Sequence, residues 1–128
     1  ALKAISLSSE NLERAVKNPN DIEARGALLL GSCYGGIAID NCGTALAHNI
    51  SHAMADLAPI PHGRATGLAM LATMKWVSQG ASEAYARVAK AMSAADTVIA
   101  YDRLVRATGM KISMEGDGLD LAKPELLA

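Results

Sequence analysis

The stretch AHNISHAMADLAPIPHG, residues 47–63, contains all three histidines of this 128-residue chain, His48, His52 and His62. Its apolar residues follow helical spacing as far as APIP, where each of two prolines disfavours helix in the residue before it. The second proline, Pro61, can serve as the first position of a new helix. The pattern predicts two helices joined by a proline turn, with two histidines on the first helix and the third at the start of the second.

Capping and breaking residues divide the rest of the chain in the same way. Asp21 is a good N-cap, Thr44 can start a helix, Ser82 is a second predicted cap and Gly109 is a predicted stop. The predicted helices cover residues 2–16, 22–39, 44–57, 61–80, 83–92 and 94–108, and residues 111–128 are predicted to form a loop with a short helical start.

The composition favours helices over strands. Hydrophobic residues make up 51% and aromatic residues 3%, with no Phe, so aliphatic side chains must fill the core. Strands prefer β-branched and aromatic residues in alternation, and no segment alternates for long. We therefore predict an all-α fold, a helical bundle, in which residues 1–128 form a single domain.

Charge and hydropathy exclude several classes of protein. The net charge is −1 and the basic residues are scattered, so a nucleic-acid partner is not expected. The uncharged runs at residues 26–39, with four glycines, and at residues 41–55 have 14 and 15 residues, too short for a bilayer span of about 20. The amino end has no basic region followed by an apolar one, and Cys33 and Cys42 do not form a CxxC pair. These features predict a soluble protein with reduced, buried thiols in a cytoplasmic context.

The same central region is predicted to be buried. Residues 26–63 contain only two charged side chains, Asp40 and Asp56. The second and third helices should therefore be buried on most of their surface, with the histidines in the driest part. Gly31 and Gly35 lie four residues apart on one helix face, a spacing that permits close approach of a neighbouring helix.

The histidine spacing suits a metal ion. His48 and His52 share a helix face, and an antiparallel return would bring His62 beside them. Neutral imidazole is a common ligand of zinc and iron, and Asp56 could assist, although spacing alone does not select it. A lone histidine in an apolar helix is more often a hydrogen-bonded core residue, but three in one window weaken that reading. The residues alone leave both readings open.

Other polar and sulfur-containing residues are better explained by structure. Asp40 with Asn41 resembles a turn between helices, and Arg64 and Lys75 are predicted to be solvated helix positions. Neither cysteine has a pattern linking it to a catalytic base. Four methionines fall on apolar helical positions and are predicted to fill the core: Met54, Met70, Met74 and Met92.

In this window the sequence resembles the iron-containing (group III) alcohol dehydrogenase family. The pattern of that family has a histidine, a second four residues on, and a third fourteen after the first within PHG, as His48, His52 and His62 stand here. Residues 22–55 resemble the helix pair that leads into the motif and residues 63–76 the helix that leaves it. About residues 1–109 align with the helical C-terminal domain of the family.

The resemblance implies a two-domain enzyme that holds a metal in the cleft between an N-terminal α/β nucleotide-binding domain and a helical C-terminal domain. It implies that His48 and His62 are ligands of Fe2+ or Zn2+, and that His52 is a catalytic group near the nicotinamide and the substrate. The metal would act as a Lewis acid on the oxygen of a small-molecule alcohol, for hydride transfer to NAD or NADP.

Departures from the family pattern are equally informative. The family supplies two further ligands, an aspartate and a histidine four positions apart, on a helix that would lie upstream of Ala1, as would the nucleotide-binding domain. HAMADLA replaces the usual His-x-Leu-Gly-Gly, which leaves the substrate open. We expect a fragment of a dehydrogenase that is inactive alone, with a homo-oligomer left open. Alternatives are a non-catalytic helical interaction module with core histidines and, ranked lowest, a zinc hydrolase.

Overall fold

A computed structural model describes residues 1–115 and 117–118, and all regular elements among them are α-helices. The six helices are α1 (Leu2–Lys17), α2 (Ile22–Cys42), α3 (Leu46–Leu57), α4 (His62–Gly80), α5 (Ser82–Ala91) and α6 (Thr97–Ala107). The predicted all-α fold is confirmed. Residues 111–115 are irregular, as predicted, and the rest of the predicted tail, apart from residues 117–118, lies outside the described residues.

Side-chain caps set several helix boundaries. Asp21 caps α2 as predicted, since its carboxylate accepts from the amide of Ala24. Asp96 caps α6 in the same way, so that helix begins at Thr97 rather than at residue 94. Ser82 is the first residue of α5 rather than its cap. Gly109 follows the end of α6 with a φ of +72°, which confirms the predicted stop.

The predicted turn at Asp40 and Asn41 is wrong. Both residues lie in the last turn of α2, where the Asn41 amide donates to the carbonyl of Ile37 at 2.7 Å. The helix ends only at Cys42, and its cap Gly43 has a φ of +74°, which suits a residue without a Cβ. Because residues 43–45 are irregular, α3 begins at Leu46 rather than at residue 44.

The helices pack as two hairpins with a pair between them. α1 packs along α2 and α3 packs along α4, while α5 and α6 both contact α1 and α4. The main buried cluster lies around the α3–α4 connection and comprises Met54, Ala58, Ile60, Ala65 and Leu68. Met74 is also buried, and Met70 and Met92 are half-buried, so the methionines are core residues as predicted. The core therefore surrounds the turn between the histidine-bearing helices.

The predicted burial of α2 is wrong. Leu29 is 74% exposed, and Leu30, Ile37 and Ile39 are exposed as well. Within the described residues, α1 is the only helix against which α2 packs extensively, so the opposite face of α2 is uncovered. Cys33 and Cys42 lie on this helix with exposed, free thiols, which corrects the prediction that they are buried. No described helix is long and apolar enough to cross a membrane.

The two glycines of α2 behave differently. A Cβ at Gly31 would lie 3.1 Å from the Ser8 hydroxyl oxygen and 3.3 Å from the Leu7 Cβ, so the predicted close approach is confirmed there. A Cβ at Gly35 would meet nothing within 4 Å, so the prediction is wrong for that residue. The neighbours of Gly31 belong to Ala4, Leu7 and Ser8, in the first half of α1.

Candidate metal centre

The α3–α4 hairpin brings the three histidines together. The ring centroids of His48 and His62 are 5.6 Å apart, those of His52 and His62 5.5 Å, and those of His48 and His52 6.4 Å. His48 is half-buried, whereas His52 and His62 are exposed. The predicted dry surroundings are therefore wrong, because two of the three rings face solvent rather than the core.

The turn that returns His62 to the pair is anchored at both ends. α3 ends at Leu57, and Ala58 and Ile60 are each 6% exposed and belong to the main core. The intervening Pro59 faces solvent, so alternate residues of the turn point inward and outward. Pro61 caps α4, which begins at His62 itself. The proline turn thus fixes where the third imidazole enters the cluster.

A line of hydroxyl groups connects the two helices beneath the cluster. Ser51 is fully buried and its hydroxyl donates to the backbone carbonyl of His48 at 2.9 Å. The Thr66 hydroxyl donates to the Ser51 oxygen at 3.0 Å, and the same Thr66 oxygen lies 3.5 Å from Nε2 of His62. Neither hydroxyl stands out in the sequence. The only available signal is that Thr66 follows His62 by four residues, which places both on one helix face.

Arg64 holds the carboxyl-terminal segment, which it contacts at Lys111, Ser113 and Asp117, against the start of α4. Its guanidinium donates to the carbonyls of Lys111 and Ser113 at 3.0 and 2.7 Å and makes a two-pronged ion pair with Asp117 at 2.9 and 2.7 Å. The Arg64 side chain is only 15% exposed, so its predicted solvation is wrong, whereas Lys75 is exposed as predicted. The hydrogen bond from Arg64 lowers the pKa of the Asp117 carboxyl.

The Arg64–Asp117 pair makes the docking of residues 111–115 and of Asp117 dependent on pH. A lowered folded-state pKa means that the pair stabilises docking above the ordinary Asp pKa of about 3.9 and that this contribution is lost as the pH falls through the folded-state value. Asp117→Asn should mimic the acid state at neutral pH and speed trypsin cleavage after Lys111 several-fold, measured by mass spectrometry. Asp102→Asn, which removes an exposed pair on α6, is the control and should leave that rate unchanged. Equal rates for Asp117→Asn and wild type would contradict this role.

The three imidazoles match part of the geometry of a metal site. Two imidazoles on one tetrahedral ion, with metal–nitrogen bonds of about 2.1 Å, place their centroids about 5 Å apart. His48 and His62, at 5.6 Å, fit two adjacent positions after a small closure. Among residues 1–115 and 117–118, no three His, Cys, Asp or Glu side chains are arranged so that they could enclose an ion together. The described residues thus fit part of a ligand set rather than a closed site.

The fold and the site together define a class of protein. Its members are all-helical domains that group imidazoles where two helices meet at a proline turn. The profile of the Fe-containing alcohol dehydrogenase family, C-terminal, matches residues 1–124. The chain belongs to that family, which confirms the resemblance read from the histidine motif and extends it beyond residue 109.

Individual related sequences give the same result. The chain is 28% identical over 130 residues to the probable alcohol dehydrogenase EutG of Salmonella typhimurium, a match that covers 98% of this chain and 32% of the relative. It is 30% identical over 107 residues to the mitochondrial hydroxyacid-oxoacid transhydrogenase of Bos taurus, covering 73% and 23%. It is 40% identical over 63 residues to the NAD-dependent methanol dehydrogenase of Bacillus methanolicus, covering 49% and 16%. The chain therefore spans less than a third of the length of these relatives. No solved structure gives a significant match.

Proposed function

We propose that this chain is the metal-binding part of a metal-dependent NAD(P) alcohol dehydrogenase that interconverts an alcohol and an aldehyde or ketone. The observation that carries the proposal is the cluster of three imidazoles at the α3–α4 junction, which lies inside the family match. The names of the relatives support it, since two are alcohol or methanol dehydrogenases and one of them is NAD-dependent.

His48 and His62 are the ligands that we propose, for Fe2+ or Zn2+. By distance alone His52 is as near to His62 as His48 is, so the proposed difference in their roles rests on the orientation of the rings. The His52 ring stacks on that of His62 at 27°, whereas the His48 ring is tilted by 51°. The lone pair of an imidazole nitrogen lies in the ring plane, so a stacked ring offers its face to its neighbour rather than a donor atom.

The chemistry of the site follows from these roles. A bound divalent metal would supply Lewis acidity to the oxygen of the alcohol or carbonyl substrate. The buried turn between α3 and α4 fixes the backbone positions of His48 and His62. His52 is exposed, so it is free to contact the substrate and to accept or return a proton at a ring nitrogen.

The proposed parent protein adds partners to this chain. We propose an N-terminal domain that binds NAD or NADP, two further metal ligands outside this sequence, and residues 1–128 as one helical domain. The exposed apolar side chains of α2 support a larger assembly, because exposed apolar patches typically mark interaction sites. The exposed free thiols suit a reducing compartment, and the cytoplasm remains our prediction.

The coding sequence immediately upstream of Ala1 tests the proposal most simply. We expect Asp, three residues and His on a predicted helix, preceded by alternating strands and helices of a nucleotide-binding domain. The parent protein should then reduce NAD or NADP in the presence of an alcohol and Fe2+ or Zn2+. A coding sequence that begins at Ala1 would contradict the proposal.

The alternative is a metal-free interaction module, and the exposed apolar face of α2 is the observation that favours it. Metal analysis of protein purified without a histidine tag separates the two functions. Stoichiometric iron or zinc in the parent protein supports the dehydrogenase, and its absence together with capture of a partner through α2 supports the module.

A further inference from the structure

We propose that Ser51 and Thr66 are positioning residues that hold the imidazole of His62 beside His48 through a directed chain of hydrogen bonds. The hydrogen bonds are formed within the 128-residue polypeptide and need no metal. Only their consequence for metal binding rests on the proposed function.

The direction of this chain of hydrogen bonds follows from counting the protons that each hydroxyl group can donate. The backbone carbonyl of His48 can only accept, so the single hydroxyl proton of Ser51 is used toward it, over 2.9 Å. The Ser51 oxygen must then accept from Thr66, over 3.0 Å, which uses the single proton of Thr66. The Thr66 oxygen is left only with acceptor capacity toward Nε2 of His62, 3.5 Å away. Neutral His62 should therefore carry its proton on Nε2.

Because Ser51 and Thr66 lie at the contact between two helices, water cannot easily replace their hydrogen bonds. Ser51 is 0% exposed at the contact between α3 and α4, and Thr66 is half-buried. No buried side-chain nitrogen or oxygen among the described residues lacks a hydrogen-bond partner. Removing the Thr66 hydroxyl would leave the Ser51 oxygen without its donor at a site that solvent does not reach.

The chain of hydrogen bonds matters because the ring of His62 is otherwise poorly restrained. Its ring is exposed, and an exposed side chain populates several rotamers unless a contact selects one. The contact from Thr66 ties the ring to α3 through the backbone of His48, the proposed co-ligand. Partners that orient a metal-binding histidine typically change metal affinity by about 10- to 100-fold when they are removed.

The first test needs no variant and no metal. Long-range 1H–15N spectra of the 128-residue chain, recorded near pH 9, where imidazoles are neutral, report which ring nitrogen carries the proton. We expect His62 to be predominantly the Nε2–H tautomer. A predominantly Nδ1–H tautomer would overturn the proposal.

The second test uses variants that keep the shape of the side chain. Thr66→Val should weaken Zn2+ binding to the chain roughly tenfold and reduce the tautomer preference of His62, whereas Thr66→Ser, which restores the hydroxyl, should recover both. Thr73→Val is the matched control, because Thr73 lies on the same helix and its hydroxyl bonds the carbonyl of Ala69 away from the cluster. Ser51→Ala should resemble Thr66→Val, and Ser78→Ala is its control.

The outcomes separate this proposal from the proposed function. Loss of the tautomer preference in Thr66→Val but not in Thr73→Val supports positioning even if the chain takes up no Zn2+, a result that would count against the metal function alone. Identical His62 spectra for Thr66→Val and Thr73→Val would overturn positioning, whatever the affinity for Zn2+.

Discussion

His48→Ala or His62→Ala in the parent enzyme should abolish metal retention, whereas His52→Ala should spare the metal and lower turnover. The two proposed ligands have ring centroids 5.6 Å apart and ring planes tilted by 51°, a separation that one ion can bridge. His52 stacks on His62 and faces solvent, which suits a group that touches the substrate. Metal content of tag-free protein by mass spectrometry and the rate of NAD or NADP reduction measure the two effects.

Asn49→Ala is the matched control for the histidine variants. Asn49 is exposed on α3 next to His48, so its replacement alters the same helix without altering the cluster. Metal content and turnover should both stay at the wild-type level. An empty site in His52→Ala, or a full one in His48→Ala, would show that the roles of these two histidines are assigned wrongly.

Leu68→Ala should destabilise the chain by about 2–5 kcal/mol, the usual cost of truncating a buried leucine. Leu68 is 8% exposed and belongs to the cluster that anchors the turn between the histidine-bearing helices. Its truncation leaves a cavity at the α3–α4 contact, so the histidine geometry should loosen as well. Urea denaturation followed by circular dichroism measures the change in the free energy of unfolding.

Leu29→Ala is the control for Leu68→Ala, since it makes the same chemical change on a helix. Leu29 is 74% exposed, so the expected change is within about 0.5 kcal/mol. A large destabilisation that grows with protein concentration would indicate that α2 is covered by a second copy of the chain in solution, contrary to its exposure here.

The number and order of the helices were predictable because local chemistry decides them. Asp21 caps α2 through its own side chain, and Gly109 adopts a positive φ just beyond α6, so both signals act within a few residues. The proline turn and the approach of His62 to His48 were predictable for the same reason. The family was recognisable from this local motif alone.

Burial was less predictable, because a sequence shows which residues are apolar but not what covers them. The uncharged stretch 26–39 of α2 suggested a buried helix, yet the described residues cover only its α1 side, at Ala24 and Gly31. The predicted burial of Cys33 and Cys42 is wrong for the same reason. The exposure of His52 and His62 likewise depends on where the hairpin ends relative to the core.

Contacts between distant residues were not predictable. Thr66 reaches Ser51 across 15 positions, and Arg64 reaches Asp117 across 53. No local pattern marks either pair, since each forms only when the hairpin and the carboxyl-terminal segment are packed.

Titration of the tag-free 128-residue chain with Zn2+ tests most directly whether His48 and His62 form part of a metal site. We expect weak, saturable binding of one equivalent, because imidazoles without a carboxylate provide no charge compensation. His48→Ala and His62→Ala should each remove this binding, and Asn49→Ala should leave it unchanged. Sub-micromolar affinity would contradict a partial site, and binding that survives both histidine substitutions would contradict the assignment of the ligands.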